Sequence, residues 1–265
     1  MKLFAITLLV LLVLPGCNNA DKEKPKDVQL ISVPEKILKD DIARFPDSIL
    51  LKEKLIQYYR DSAAYEKAIT TVNEALHKDS SIARLWEIKA ILHFENEDTV
   101  TAIRSFETAT RILPLPYYFK MLGSLYAQTK NIKALDMADA LLLNKNADTD
   151  NEAFFIKGLY YSNINDKLKA ITFFDKCLAL NYTYMLAYRE KAIAMYDMGK
   201  YEDAIKVLDK AVTLQNNFDE GYYWRGRSLE KLNKPTEAAD EYRAALKYAP
   251  DFTEAKDALN RLGEK

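Results

Sequence analysis

The chain has 265 residues, a formal net charge of −1, 49% hydrophobic residues and only 7 glycines. This composition argues against disorder over most of the chain and favours helices over strands. The 38 basic and 39 acidic residues are interspersed, so no stretch is basic enough to follow a nucleic-acid backbone, and we expect no nucleic-acid partner. The two cysteines, Cys17 and Cys177, are too far apart in sequence to suggest a metal-ligand cluster or a disulfide framework.

The first residues have the features of an export signal. Lys2 precedes an apolar run over residues 3–14, about half of the ~20 residues that a membrane-spanning helix needs. A basic start, a short apolar segment and a small-residue exit describe a secretory signal. Residues 14–17, Leu-Pro-Gly-Cys, resemble the lipobox of bacterial lipoproteins. The resemblance implies a lipoprotein signal peptide over residues 1–16 and lipidation of Cys17; the alternative is an ordinary cleaved signal followed by an idle cysteine.

Residues 17–33 are predicted to be the lipidated cysteine and a flexible tether. Residues 18–33 are too polar and charged to bury a core, and these sixteen residues can span about 55 Å. Several acyl chains anchor a protein stably where one does not, and the lipoprotein resemblance implies several on Cys17. Asn18, rather than an aspartate, follows the cysteine, which by the same resemblance favours the outer membrane. We therefore expect a lipid-anchored protein of the bacterial cell envelope, with its periplasmic or surface orientation left open.

A repeated pattern runs through most of the remaining chain. Six alanines, each followed by an apolar residue, recur at spacings of 34, 32, 36, 34 and 34 residues. A small or apolar residue lies two helical turns after each alanine, on the same helix face. Eleven or twelve residues before each alanine lies a mostly small residue, as close packing of two helices requires. The three sets are Ala68, Ala102, Ala134, Ala170, Ala204 and Ala238; Ala75, Ala109, Leu141, Cys177, Ala211 and Ala245; and Ile56, Ala90, Gly123, Gly158, Ala192 and Gly226.

This pattern resembles the tetratricopeptide repeat (TPR), a helix-turn-helix unit of 34 residues. The resemblance implies an all-α fold: a right-handed superhelical solenoid of about six repeats, stabilised by the stacking of neighbours. The predicted repeats are 49–82, 83–115, 116–150, 151–184, 185–218 and 219–252, between an N-terminal capping helix in 34–48 and a C-terminal capping helix in 253–265. The last two repeats match the family best, through Tyr188, Ala192, Gly199, Tyr201, Ala204, Ala211, Tyr222, Gly226, Ala238, Tyr242, Ala245 and Pro250.

The unequal spacings of 32 and 36 residues flank a polar stretch from Asn144 to Asn151. We expect a longer loop at this point. It is interpreted as a loose turn without mechanical meaning, or alternatively as a hinge that changes the superhelical direction between two halves.

The TPR resemblance also implies a concave groove, lined by the first helix of each repeat, that binds other proteins or peptides. Aromatic residues and arginines often carry interface energy, and basic groups suit the carboxylates of an extended or helical peptide. The alternative for each aromatic is an ordinary core position. Ser124 and Leu159 stand where chaperone-binding members of the family have asparagine, so binding to chaperone tails is not predicted. The predicted groove residues are Arg84, Ile91, Phe94, Tyr117, Lys120, Phe155, Leu159, Arg189, Ile193, Tyr196, Tyr223 and Arg227.

Catalysis is not predicted. The two histidines, His77 and His93, have no fitting acid or nucleophile near them in sequence, and no motif for a metal or a cofactor is present. Cys177 stands where four other repeats have alanine, which indicates a buried small residue. We therefore expect a membrane-anchored TPR lipoprotein that acts as a protein-interaction scaffold or adaptor. The alternative is a permanent structural subunit of an envelope assembly, such as outer-membrane biogenesis, pilus, secretion or gliding machinery; the oligomeric state is not predicted.

Overall fold

The computed structural model describes residues 35–143 and 147–263, the side chains of residues 147 and 148 excepted. Within these ranges the chain forms fourteen α-helices and no strand. The predicted signal peptide, Cys17 and the tether lie outside the described residues. The helices are α1 (Glu35–Arg44), α2 (Ile49–Asp61), α3 (Tyr65–Lys78), α4 (Ala83–Glu95), α5 (Thr99–Ile112), α6 (Pro116–Gln128), α7 (Lys133–Leu142), α8 (Ala147–Asn163), α9 (Lys167–Leu180), α10 (Met185–Asp197), α11 (Tyr201–Leu214), α12 (Asp219–Lys231), α13 (Pro235–Tyr248) and α14 (Thr253–Arg261).

The helices stack in the order of the chain. Each of the even-numbered helices α2 to α12, here called the first helices, packs against the odd-numbered helix that follows it, here called a second helix. Among the described helices, extensive contacts join only neighbours in the sequence order or helices two apart. Such a stack is stabilised by contacts between adjacent units rather than by one central core. Helices α1 and α14 cover its two ends.

The repeated small residues form the core between the helices. All six alanines of the first set are at most 1% exposed, which confirms that the periodic face is buried. Gly158 shows why a small residue is needed: a Cβ atom there would lie 2.4 Å from the buried ring of Phe174. Gly226 faces the ring of Tyr242 in the same way, at 2.6 Å. The first helices can therefore approach the second helices closely only where the side chain is small.

Every first helix ends in the same tight turn. One residue of each turn has a left-handed backbone conformation, and the amide of the next residue donates to a carbonyl five positions earlier, as Asp98 does to His93 at 2.8 Å. Only one of the six left-handed residues is a glycine, although glycine adopts this conformation most easily. The residues and their φ angles are Ala63 at 53°, Glu97 at 61°, Lys130 at 58°, Asn165 at 67°, Gly199 at 75° and Asn233 at 58°.

The stretch from Asn144 to Asn151 does not form the longer loop that the sequence suggested. Helix α7 ends at Leu142 and α8 already begins at Ala147. Helix α7 has 10 residues, where every other second helix has 14. Helix α8 has 17 residues, where every other first helix has 13. The prediction was wrong because acidic residues, read there as loop, are also favourable in the first turn of a helix.

Candidate functional site: the concave surface of the first helices

The first helices form the inner side of the curved stack. From α6 onwards consecutive first helices touch each other: α6 touches α8, α8 touches α10, and α10 touches α12. Extensive contacts of this kind do not join consecutive second helices in the described part of the chain. The first helices therefore lie closer to one another than the second helices do, so they are on the inner side of the curve. The side of the first helices that faces away from the second helices is called the concave surface below.

The N-terminal half of the concave surface contains an apolar groove. A cavity of about 450 Å³ lies between α4 and α6, and a second of about 250 Å³ lies between α2 and α4. Ile91 and Arg60 line both cavities, so the two lie side by side. Three predicted groove residues meet here, because Ile91, Phe94 and Tyr117 all line the larger cavity. Phe94 and Tyr117 are each 42% exposed, so large apolar side chains are available to a partner.

Most predicted basic groove residues already have carboxylate partners within the chain. They were expected to meet acidic groups of a partner, and three of the four face a carboxylate of this chain. A partner carboxylate would have to displace an existing ion pair, and Arg189 is in addition half-buried. The pairs are Arg84 Nη1 with Glu87 at 2.6 Å, Lys120 Nζ with Glu152 at 2.7 Å, and Arg189 Nη1 with Glu220 at 2.6 Å.

Arg227 differs from the other three cations, because no carboxylate among the described residues pairs with it. Its guanidinium carbon lies 5.3 Å from the ring centre of Trp224, 5.5 Å from that of Tyr196 and 5.8 Å from that of Tyr223. Its nitrogens donate to the hydroxyls of Tyr223 at 3.0 Å and Tyr196 at 3.4 Å. Burial disfavours the charged form, but these hydrogen bonds hold the pKa of Arg227 above its ordinary value. The aromatic side chains thus hold a charged guanidinium without a counter-charge from the part of the chain that the structure describes.

Two predicted groove aromatics are core residues instead. Phe155 is 6% exposed, and its ring centre lies 5.1 Å from that of Tyr184. Tyr223 is 9% exposed, and its ring centre lies 4.9 Å from that of Phe252. Tyr184 and Phe252 directly precede α10 and α14 as their N-cap residues, and each packs its ring over the preceding first helix. Of the other predicted residues, Leu159 packs partly buried against the core, and Ile193 is half-buried.

The sequence reasoning missed several residues that line the larger cavity. Arg60 was not named, although it stands four residues after Ile56, as Phe94 stands four residues after Ala90. The same register would therefore have found it. Arg60 Nε pairs with Glu95 at 2.7 Å, at the rim of the cavity. No comparable signal identifies the remaining residues, which are Glu95, Phe106, Met121, Leu125 and Gln128.

The residues that were considered for catalysis have structural surroundings. The Nδ1 atom of His93 lies 3.2 Å from a carboxylate oxygen of Asp98, the residue that caps α5. Cys177 is fully buried, as predicted, and burial raises the pKa of its thiol to about 12. In the described ranges, no group of three or more His, Cys, Asp or Glu side chains is placed to hold a metal ion. None of the described helices combines the length and the apolar character that crossing a bilayer requires.

Comparison with known proteins finds the repeat in the sequence. Family models described as tetratricopeptide repeat match residues 152–184 and 219–252, and one described as TPR repeat matches residues 192–233. The Hsp70-Hsp90 organizing protein of Triticum aestivum is 22% identical over 260 residues, which cover 91% of this chain and 43% of that protein. DnaJ homolog subfamily C member 3 of Homo sapiens is 34% identical over 77 residues, 29% of this chain and 15% of that protein. The chain thus spans less than half the length of these curated relatives.

Solved structures match most of the fold. A tetratricopeptide repeat protein from Parabacteroides merdae superposes with a TM-score of 0.72 at 19% identity, covering 87% of this chain and 91% of that one. PilW, described as a widely conserved type IV pilus biogenesis factor, superposes with a TM-score of 0.62 at 19% identity, covering 79% of this chain and 97% of that one. At such identities the likeness concerns the fold alone. The chain therefore contains tetratricopeptide repeats, and its helices form a right-handed tetratricopeptide-repeat solenoid.

Proposed function

We propose that this chain is a lipid-anchored scaffold of the bacterial envelope that binds a segment of a partner protein along its concave surface. The observation that carries the proposal is the groove between α2 and α6, where Phe94 and Tyr117 leave apolar surface open at a cavity of about 450 Å³. Open apolar surface of this kind marks interaction sites in soluble proteins. The tetratricopeptide-repeat fold itself suggests a protein-interaction adaptor.

The groove and Arg227 together favour an elongated partner. The groove lies on the first three repeats, whereas Arg227 lies on α12, in the sixth. A segment that reaches both must be extended or helical over several repeats. Its apolar side chains would enter the cavity beside Tyr117, and an acidic group would meet Arg227, which needs to give up no existing ion pair. A charged contact held between aromatic rings loses little side-chain entropy on binding.

The anchor rests on the sequence of residues 1–17. Lipidation of Cys17 would hold the concave surface within the reach of the tether, about 55 Å, from the membrane. A partner in the same envelope would then meet the groove at a raised effective concentration. We place the protein in the outer membrane on the basis of Asn18. Its catalytic inactivity remains an expectation from the sequence.

A permanent structural subunit of an envelope assembly is the second candidate. It is favoured by large apolar side chains at the ends of the second helices, on one edge of the stack, where Leu143 and Tyr182 are strongly exposed. Phe45, at the end of α1, adds to the same edge. An edge of this kind suits broad contacts that remain buried throughout the life of an assembly.

Site-specific photo-crosslinking in intact cells tests the scaffold. A photoreactive amino acid at Tyr117 should capture a partner, whereas the same group at Thr172, exposed on the second helix α9, should not. Arg227→Glu should reduce the yield at Tyr117, and raised salt should do the same for a transient complex. A structural subunit would remain in its complex in spite of both changes. Equal capture at Tyr117 and Thr172 would rule out the groove.

The anchor is tested separately by fractionation. Cys17→Ala should move the protein from the membrane fraction to the soluble fraction, because the acyl chains supply the stable attachment. Unchanged membrane association of this variant would reject lipidation as the anchor and leave the groove proposal intact.

A further inference from the structure

A patch of apolar and basic side chains lies on one edge of the solenoid. This edge, called the turn edge below, is formed by the turns that join each first helix to its second helix. In the third and fourth repeats, Ile132, Ile164 and Leu168 are 61%, 41% and 63% exposed there. Residues 129–133 and 164–169 contain four lysines and one aspartate. The side chains called the turn-edge patch below are all exposed, and they are Lys130, Ile132, Lys133, Ile164, Leu168 and Lys169.

The apolar residues of the patch follow the register of the repeat. Ile132 and Leu168 each stand two residues before the repeated alanine of their second helix, at the start of α7 and α9. Because Cα–Cβ bonds tilt toward the N-terminus of a helix, side chains at this position lean toward the turn edge. Val100 takes the same position in the second repeat and is 61% exposed, but the turn before it carries two acidic residues, Glu97 and Asp98. The other three repeats have a polar residue at this position, namely Glu66, Glu202 and Thr236. Apolar and basic side chains therefore coincide in the third and fourth repeats.

The chain that precedes α1 joins the solenoid at the same edge. The carboxylate of Glu35, the first residue of α1, accepts a hydrogen bond from the Tyr59 hydroxyl at 2.8 Å and lies 3.6 Å from Lys67 Nζ. Tyr59 is near the end of α2 and Lys67 is near the start of α3, so α1 begins at the turn edge. A tether that can span about 55 Å therefore starts from the edge that carries the patch.

The lysines of the patch can exchange their present contacts for lipid phosphates. Lys130 forms no ion pair within the part of the chain that the structure describes. Lys133 Nζ lies 3.5 Å from Glu107, and Lys169 Nζ lies 3.0 Å from Asp166. Both pairs are exposed to solvent, and exposed pairs of this kind contribute little to stability. A phosphate can therefore replace the carboxylate at small cost.

We propose that the turn-edge patch docks on the surface of the bilayer that holds the lipid anchor, an inference that rests on the proposed lipidation of Cys17. The three aliphatic side chains enter the boundary between headgroups and acyl chains, and the lysines meet anionic headgroups. Three aliphatic residues bind a membrane weakly, but a short tether keeps the patch at an effective concentration of about a millimolar. Because the helices run from one edge of the stack to the other, docking stands them on the bilayer. The concave surface then faces sideways, along the membrane.

Fluorescence of the lipidated full-length protein in nanodiscs of phosphatidylcholine and phosphatidylglycerol tests the docking. Ile132→Cys and Leu168→Cys each carry a polarity-sensitive dye, which lipids with a nitroxide in the acyl chain should quench. Leu143→Cys and Tyr182→Cys are the matched controls, because these residues are 81% and 63% exposed just beyond the far ends of α7 and α9. The controls lie about 15–20 Å further along the helix, so their dyes should keep their fluorescence. The two native cysteines do not take the dye, because one is buried and the other is lipidated.

Charge reversal tests the role of the lysines. Lys130→Glu should reduce the quenching of the dye at Leu168, and raised salt should do the same, because both weaken the attraction to anionic headgroups. Lys210→Glu is the control for this variant. It changes an exposed lysine of α11, outside the patch, and should leave the quenching unchanged.

Each part of the proposal can fail separately. Dyes at Ile132 and Leu168 that stay unquenched, in discs that carry the protein, would refute docking and leave the anchor intact. Equal quenching at both edges would refute the orientation. A dye that responds only when a disc carries two copies would assign the patch to a second copy of the chain and overturn the proposal. Protein that does not elute with the discs would instead reject the lipid anchor itself, and with it the docking.

Discussion

The packing of Gly158 against Phe174 leads to a quantitative prediction for Gly158→Ala. Alanine in a helix is favoured over glycine by about 1 kcal/mol, and this gain alone would stabilise the variant. The added Cβ, however, would lie 2.4 and 2.6 Å from two atoms of the Phe174 ring, which is completely buried and cannot turn away. Overpacking of this kind costs about 1–3 kcal/mol, and at so short a distance the upper part of that range applies. We therefore expect a net loss of about 1–2 kcal/mol.

Gly123→Ala is the control for this reasoning. Its Cβ would lie 3.0 Å from Cδ1 of Ile156 and 3.1 Å from Cβ of Met137, so each neighbour needs to move by only a few tenths of an ångström. The helix gain and the packing cost should then nearly cancel. Urea unfolding followed by circular dichroism measures both variants, with the midpoints compared at equal m-values. The explanation fails if Gly158→Ala is as stable as the wild type, or if Gly123→Ala loses more than it does.

Three further predictions follow from local geometry. Glu97→Gly should raise the urea midpoint, since the left-handed conformation at φ 61° costs a residue with a side chain about 1–2 kcal/mol, more than the extra entropy of glycine; a lowered midpoint would show that Glu97 makes compensating contacts. Hydrogen bonds from Thr101 lower the pKa of Asp98 in the folded state. The capping of α5 by Asp98 therefore stabilises the fold at pH values above the pKa of Asp98 in the unfolded chain, and this stabilisation is lost as the pH falls through the folded pKa. Asp98→Ala should thus lower the urea midpoint at pH 7 and leave it unchanged near pH 2, and an equal deficit at both pH values would contradict this. In a Cys17→Ala background, burial should protect the Cys177 thiol from iodoacetamide at pH 8 until urea unfolds the chain, so labelling of the native protein would show that the fourth repeat opens.

The repeat could be predicted from the sequence because the residues that set it face each other within one unit. Gly158 is small because Phe174, sixteen residues later, is large, and the same relation joins Gly226 and Tyr242. Both residues of such a pair recur with the period of the repeat. Their register therefore identifies the helices, the buried face and the close approach of the two helices before any coordinates are known.

The concave surface was only partly predictable, because its exposure is decided by residues of the next repeat. A register within one helix places Phe155 and Ile91 on the same surface. Phe155 is nevertheless covered by Tyr184, which lies 29 positions later in the chain, whereas Ile91 lines the open cavity. The ion pairs follow the same rule, since Arg189 meets Glu220 of the following repeat. No carboxylate of the described residues pairs with Arg227, whose first helix is followed by α13 and α14 and not by a further full repeat.

The irregular third and fourth repeats show what the stack requires of the sequence. The spacings of 32 and 36 residues together equal two regular repeats, and the structure places the compensation in the helices: α7 is four residues shorter and α8 four residues longer than their counterparts. A long loop at this place would have left the buried faces of the fourth repeat without a defined position. A longer first helix instead continues the packing surface, since Asn151 and Ala153, in its early turns, are buried. The alanine of the third repeat can stand two residues earlier than a regular repeat would place it, because the longer α8 returns the following alanine to its regular position. This solenoid therefore repeats the positions of the contacting faces and not the lengths of individual helices.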